Sequence, residues 1–335
     1  MRAACIAGLV LIASAAQAQS SVTLYGIADS GIRYSNDGHG ALTTMESNGW
    51  LSSSRVGFLG HEDLGAGWKA NFQLEEGFSV ASGALDNTTG VLFNRMAYIG
   101  LSGPYGALTL GRQWALAHDV VFDLDPFYLQ YPTIVPLTQA LDGIHYSNDA
   151  KYKVDVGPFL FSMENAFGNV AGDFNSGAAR SVGLRYKTPN VELGTVYTHR
   201  TVLVGTNYLS DDYYALGAQA VLGGLRFAGG FMNQNQSGLL TTQAVRTENY
   251  WFGITYAISA ATRIGGAAYE TRLPNTGGAH DLGIVSVIHS LSKRTKLYAE
   301  TDFSRYRGSY VTDATLNPHH AQRQIGVTVG IDHSF

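Results

Sequence analysis

The sequence predicts an all-β chain closed into a 16-stranded antiparallel transmembrane β-barrel. Three observations carry that prediction: an export signal at the N-terminus, two-residue alternation of apolar and polar side chains, and connections that alternate between short and long. The composition agrees. Of 335 residues, 14% are charged, well below the typical ~25%, while 45% are hydrophobic, 11% aromatic and 40 are Gly. That apolar content excludes a disordered chain. A single Cys excludes a disulfide scaffold and a cysteine-based metal site. Lys and Arg total 22 against 26 acids, so no basic face points to nucleic acid.

Residues 1–18 read as a signal peptide and 19–335 as the barrel. Arg2 precedes an apolar stretch from Ala3 to Ala16, and Ala16-Gln17-Ala18 supplies a small-residue cleavage site. The stretch is short of the ~20 residues that span a bilayer. Cys5 lies inside it, too early to be a lipidation site. The exported chain is then free of cysteine, which suits an oxidising compartment.

Beyond the signal, alternation replaces any long apolar run. At the C-terminus Ile325, Val327, Val329, Ile331 and Phe335 fall on one face, and Gln324, Gly326, Thr328, Gly330, Asp332 and Ser334 on the other. Successive strand side chains point to opposite faces, so such a segment is greasy on one side and wet on the other. The pattern recurs from Val22 to Tyr34 and from Asn249 to Ala257, whereas helical stripes are hard to find.

Short connections fall at Asp63–Gly67, Ser102–Gly106, Asp155–Pro158, Thr188–Asn190, Leu222–Gly224, Ser259–Ala261 and Ser292–Arg294, each with Gly, Pro, Asn or Ser chemistry suited to a tight turn. Longer polar stretches fall at Ser35–Ser54, Glu76–Leu92, Trp114–Asp142, Gly168–Ala179, Arg200–Asp211, Asn233–Thr247, Glu270–His280 and Tyr306–Gln322. Seven short turns and eight long loops join sixteen strands, an even number that lets the first strand meet the last.

Alternation alone also fits a soluble sandwich. The signal places the chain outside the cytoplasm, and aromatic residues near strand ends (Tyr25, Tyr34, Tyr98, Tyr197, Tyr213, Tyr214, Trp251, Phe252, Tyr256, Tyr298 and Phe303 among them) suit girdles at two lipid interfaces. Closure is compulsory in lipid, where an open edge leaves backbone groups unsatisfied.

Taken in order, Ser20–Gly26, Ser54–Gly67, Phe93–Leu101, Leu108–Gln113 and the terminal Phe335 resemble the general porins of Gram-negative bacteria, particularly the beta-proteobacterial type. The resemblance covers the whole mature chain. It implies an outer-membrane homotrimer embedded in lipid and lipopolysaccharide, with short periplasmic turns, long extracellular loops and a water-filled pore in each monomer for ions and small hydrophilic solutes. It implies that the third loop folds inward and that Phe335 acts as a C-terminal assembly signal. It also implies a constriction in which loop acids, here Asp119, Asp123 and Asp125, face wall arginines, here Arg55 and Arg95, with Arg33 contributing from the first strand. Where relatives often carry a further arginine this chain has His145, one charge fewer near neutral pH.

Parity places Arg55 on a face with Gly57 and His61, and Arg95 on a face with Ala97, opposite Met96 and Tyr98. An arginine facing lipid at the midplane costs roughly 2–4 kcal/mol, so both should face the lumen. The many lumen-side Gly, Ser and Thr argue for an open bore. No cofactor or catalytic site is expected: there is no Gly-x-Ser-x-Gly elbow and no His-Glu-x-x-His, and His319-His320 lacks a third ligand for a metal. A substrate-selective channel, a barrel enzyme with a scattered triad, and an adhesin with a filled lumen remain as alternatives.

Overall fold

The computed structural model describes residues 20–45, 50–86, 90–134, 145–238 and 244–335; the predicted signal peptide, 1–18, lies outside the described residues. One antiparallel sheet forms the molecule, and its neighbours run in chain order until the last strand meets the first. Strand β1 (Ser20–Asn36) pairs with β17 (Arg323–Ser334) from Ile27↔Ser334 to Asn36↔Ile325. On its other side it pairs with β3 (Arg55–Gly65) from Ser20↔Glu62 to Ile27↔Arg55. A short strand β2 (Ala41–Met45) lies above β3 on that same side, from Asn36↔Ala41 to Ile32↔Met45. The cylinder therefore has sixteen strands, and β2 is a hairpin extension of the first long loop.

The final residue completes the seam. The Phe335 amide donates to the Gly26 carbonyl at 3.0 Å, and the Gly26 amide donates to the Phe335 carbonyl at 3.1 Å. A Cβ at Gly26 would stand 2.3 Å from Phe335 Cζ, so this glycine admits the terminal ring.

The remaining wall comprises β4 (Trp68–Gly77), β5 (Met96–Gly103), β6 (Gly106–Trp114), β7 (His145–Val156), β8 (Phe159–Ala166), β9 (Ala179–Lys187), β10 (Val191–Val204), β11 (Asn207–Leu222), β12 (Leu225–Gln236), β13 (Val245–Ala257), β14 (Thr262–Leu273), β15 (Gly278–Ser290) and β16 (Thr295–Arg307). Its outer face carries the exposed apolar residues, such as Val22, Leu24, Ile99, Leu193, Leu216, Val285 and Val329. An apolar exterior on a closed sheet makes lipid the solvent of that face.

All seven short turns fall where Gly, Pro, Asn and Ser placed them. Two of the expected long loops do not form. Strands β10 and β11 continue to Val204↔Asn207, and β14 and β15 continue to Leu273↔Gly278. Polar composition suggested loops there, but the polar side chains pair across strands: Arg200 donates to Asp211 at 2.6 Å, and Tyr197 and His199 both bond Asp212.

The aromatic residues also divide. Tyr34, Tyr197, Tyr214, Phe252, Tyr256 and Phe303 face outward, as a girdle requires. Tyr25, Tyr98, Tyr213, Trp251 and Tyr298 instead face the lumen: Tyr25 donates to Glu75 at 2.7 Å and Tyr298 to Asp29 at 2.6 Å. These five carry a hydroxyl or indole N–H that needs a polar partner once buried, and only the inner face offers one.

Candidate functional site

The third long loop enters the barrel and begins with a helix, α1 (Leu116–Leu124). Leu116, Ala117, Val120, Val121 and Leu124 are buried on one side of it, an i, i+4 stripe unlike the surrounding alternation. The stripe rests on glycines of the inner wall. A Cβ at Gly194 would stand 2.9 Å from Leu124 and 3.1 Å from Val120, and one at Gly217 would stand 3.1 Å from Leu124. Farther on, Pro126 lies over Gly253 and Phe127 over Gly265, each at 2.7 Å from such an added carbon. The lumen glycines that suggested an open bore thus serve in part as a bed for the loop.

Both ends of α1 are held by charges of the sign its dipole favours. At the N-terminus Glu164 on β8 accepts the Leu116 amide at 2.9 Å. At the C-terminus Arg226 on β12 donates to the carbonyls of Asp123 at 2.7 Å, Pro126 at 2.9 Å and Asp125 at 3.0 Å. The Trp251 indole donates to the Leu124 carbonyl at 2.9 Å.

The three loop acids do not share one role. Asp119 bonds Lys153 at 2.8 Å and Lys151 at 3.0 Å, both on β7. Asp123 pairs with Arg185 on β9. Asp125 is fully buried and accepts the amides of Phe127 and Leu129, each at 2.8 Å, so it shapes the turn after the helix and does not line the channel. Asp119 and Asp123 therefore meet cations of the wall against which the loop lies.

Arg55 and Arg95 lie together on a different part of the wall. Arg95 Nε donates to Glu75 at 2.7 Å, and Arg55 approaches the same carboxylate at 3.9 Å. The Arg55 Nε donates to the Ser53 carbonyl at 2.9 Å. Arg95 points inward, as expected, but not on the face that its parity with Ala97 would give it. Ile99 and Leu101 face outward and Tyr98 faces in, where its hydroxyl donates to Gln73, so the face of Ala97 is the lipid face. Arg95 escapes that parity because it lies in the bend before β5, and its guanidinium sits 5.2 Å from the centre of the Trp114 ring.

His145 opens β7 with its ring 3.8 Å from that of Trp114. Arg33 is a buried strut: it makes two bonds to Asp302, at 2.6 and 3.0 Å, and stacks 4.5 Å over Trp50. Trp50 belongs to a second inward tuck, residues 50–54, in which the Asp29 carboxylate accepts the amides of Leu51 at 2.7 Å and Ser52 at 2.5 Å. Outside the barrel, His319 bonds Asp37 at 2.5 Å, and no cluster of metal-ligating side chains occurs among the described residues.

Sequence reasoning missed the counter-charges Lys151, Lys153, Arg185 and Arg226, together with Glu164 and Glu75. The Leu116, Val120, Leu124 stripe was the available signal that the third loop carries a helix needing a bed and anchors.

A closed antiparallel barrel with a lipid-facing exterior and a loop folded into a polar lumen is an outer-membrane channel. The chain belongs to the Gram-negative porin family, whose model matches residues 3–309. It is 28% identical to an outer membrane porin protein of Bordetella pertussis, covering 100% of this chain and 99% of that one. It is 27% identical to outer membrane porin protein 32 of Delftia acidovorans, covering both chains completely. Among solved structures, the anion-selective porin from Comamonas acidovorans matches with a TM-score of 0.81 at 23% identity, over 95% of this chain and 100% of that one. A trimer form of OmpT from Vibrio cholerae matches with a TM-score of 0.71 at 13% identity, over 94% and 99%. The protein is thus an outer-membrane porin, a passive channel and not an enzyme.

Proposed function

We propose that this porin passes small hydrophilic solutes by diffusion and favours anions. The observation that carries the preference is the group formed by Arg55, Arg95 and Glu75. Beneath the loop Asp119 and Asp123 meet Lys151, Lys153 and Arg185, where Glu164 and Glu192 also pair with Lys151 and Arg185, whereas Arg55 and Arg95 share the carboxylate of Glu75. The side chain of Arg55 is 22% exposed against 5% for Glu75, so at this group a passing ion meets the positive partner first; Lys153, 37% exposed, stands beside Asp119 and Asp123, 20% and 29% exposed. Each exposed charge attracts a counter-ion by about 1 kcal/mol at 4 Å in bulk-like water. The attraction fades beyond the Debye length of about 8 Å at physiological ionic strength. A few such charges bias entry without trapping an ion.

The test is the reversal potential across a salt gradient in planar bilayers. A value on the anion side is expected, and Arg55→Glu with Arg95→Glu should move it toward cations. An unchanged value in that variant would remove these arginines from control of the constriction.

The same reading includes export with loss of residues 1–18, which N-terminal sequencing of the outer-membrane protein checks. It also includes association of three copies in lipid and lipopolysaccharide, as the trimer form of the Vibrio protein suggests. Triplet conductance steps and a heat-sensitive high-mass band on gels are the expected signs.

A further inference from the structure

We propose that the pore binds aromatic carboxylates in transit, on a row of rings presented by the third loop. This deepens the anion-channel reading and rests on it. The side of α1 opposite its buried stripe carries His118 and Phe122, and Phe122 is 37% exposed although it is a large apolar residue in a polar lumen. Trp114, His118, Phe122 and Tyr128 form a continuous series. Trp114 stacks on His118 at 3.9 Å, His118 meets Phe122 at 5.7 Å, and Phe122 meets Tyr128 at 5.6 Å.

The i, i+4 spacing of the first three members keeps them on one side of the chain as it enters the helix. A guanidinium stands at each end: Arg95 lies 5.2 Å from the Trp114 ring, and Arg226 lies 4.1 Å from that of Tyr128. The Trp114 end opens on a recess of about 120 Å³ lined by Lys151 and Lys153 together with the Asp119 carboxylate that bonds them both, Lys153 being the more exposed at 37%.

The exposed ring of Phe122 offers a planar solute a face on which to stack, while the cations at both ends of the row attract its carboxylate. A solute with one aromatic ring and one carboxylate matches both features. An aliphatic carboxylate of similar bulk matches only the second. Because stacking favours the ring by a modest factor, the solute dwells briefly and then leaves, as transport requires.

The experiment measures block of the chloride current through single channels in symmetric salt, with benzoate and cyclohexanecarboxylate as probes. Benzoate should half-block at a concentration about fivefold below cyclohexanecarboxylate, the factor expected of one aromatic contact. Phe122→Leu, which keeps apolar bulk and loses the ring, should erase the difference. Unheated gel mobility and unitary conductance confirm that the variant has folded. Equal block by the two acids in the wild type, or an undiminished difference in Phe122→Leu, would overturn the proposal. The reversal potential is read separately, so a channel that favours cations refutes the anion preference without being mistaken for failure of the ring row.

Discussion

Replacing Arg226 by Met should loosen the third loop while leaving the barrel intact. The side chain makes three hydrogen bonds to carbonyls at the C-terminal end of α1, at 2.7, 2.9 and 3.0 Å, and a fourth to Gln219 at 2.6 Å. A bond from a charged donor contributes about 1.5–3 kcal/mol net in a buried setting, but water in the lumen can replace Arg226 at carbonyls it abandons, so about 1 kcal/mol each is the better figure. The loss is then about 3 kcal/mol, or roughly two orders of magnitude in the equilibrium between docked and undocked loop. Met retains the apolar stem length, which separates lost anchoring from lost packing. Single-channel recording should show more open-channel noise and discrete sublevels, with gel mobility like that of the wild type. Trp251→Phe removes one bond, the 2.9 Å contact to the Leu124 carbonyl, and should have a visibly smaller effect. Wild-type noise in Arg226→Met, or a larger effect from Trp251→Phe, would refute the clamp.

Other outcomes follow from the same structure. Gly194→Val places a branched side chain where a single Cβ already approaches Leu124 at 2.9 Å; the loop should shift into the bore and lower unitary conductance, by an overpacking strain of about 1–3 kcal/mol. Gly326→Val intrudes on Arg33 and Asp302, whose atoms lie 2.1 and 2.3 Å from an added Cβ, and thermal denaturation should show a lower melting temperature. At the outer rim His319 holds the Asp37 carboxyl down at about 2, so this contact contributes above the ordinary carboxylate value and is lost as pH falls from about 4 through 2. Protection factors of the flanking loop amides, corrected for the intrinsic pH dependence of exchange, should therefore stay high at pH 5 and fall at pH 2, and Asp37→Asn should be low at both.

Much of the architecture was legible in the sequence because a period of two and turn chemistry are local properties. Gly223-Gly224 and Pro189-Asn190 mark turns whatever surrounds them. The strand extensions at Arg200–Val204 and Asn207–Asp211 were not legible, because polar side chains that pair across strands have the composition of a loop. Arg95 was assigned inward by a parity that belongs to the lipid face, since a bend of one residue is invisible to alternation. The acids Asp119, Asp123 and Asp125 were recognised as loop residues, but their partners lie 32–62 positions away for Asp119 and Asp123, while Asp125 turns back on its own segment. Charges can be counted in a sequence; which carboxylate a given cation reaches depends on how strands are placed around the wall.

The seam between Gly26 and Phe335 also bears on biosynthesis. Because β17, from Arg323 to Ser334, is the strand that pairs with β1, with Phe335 adding an amide and a carbonyl at its end, the cylinder is not closed until this strand has entered the wall. Until then β1 keeps a free strand edge, a chemically distinct surface that an assembly or degradation factor can sense. Entry of β17 and closure of the wall are in this way one event.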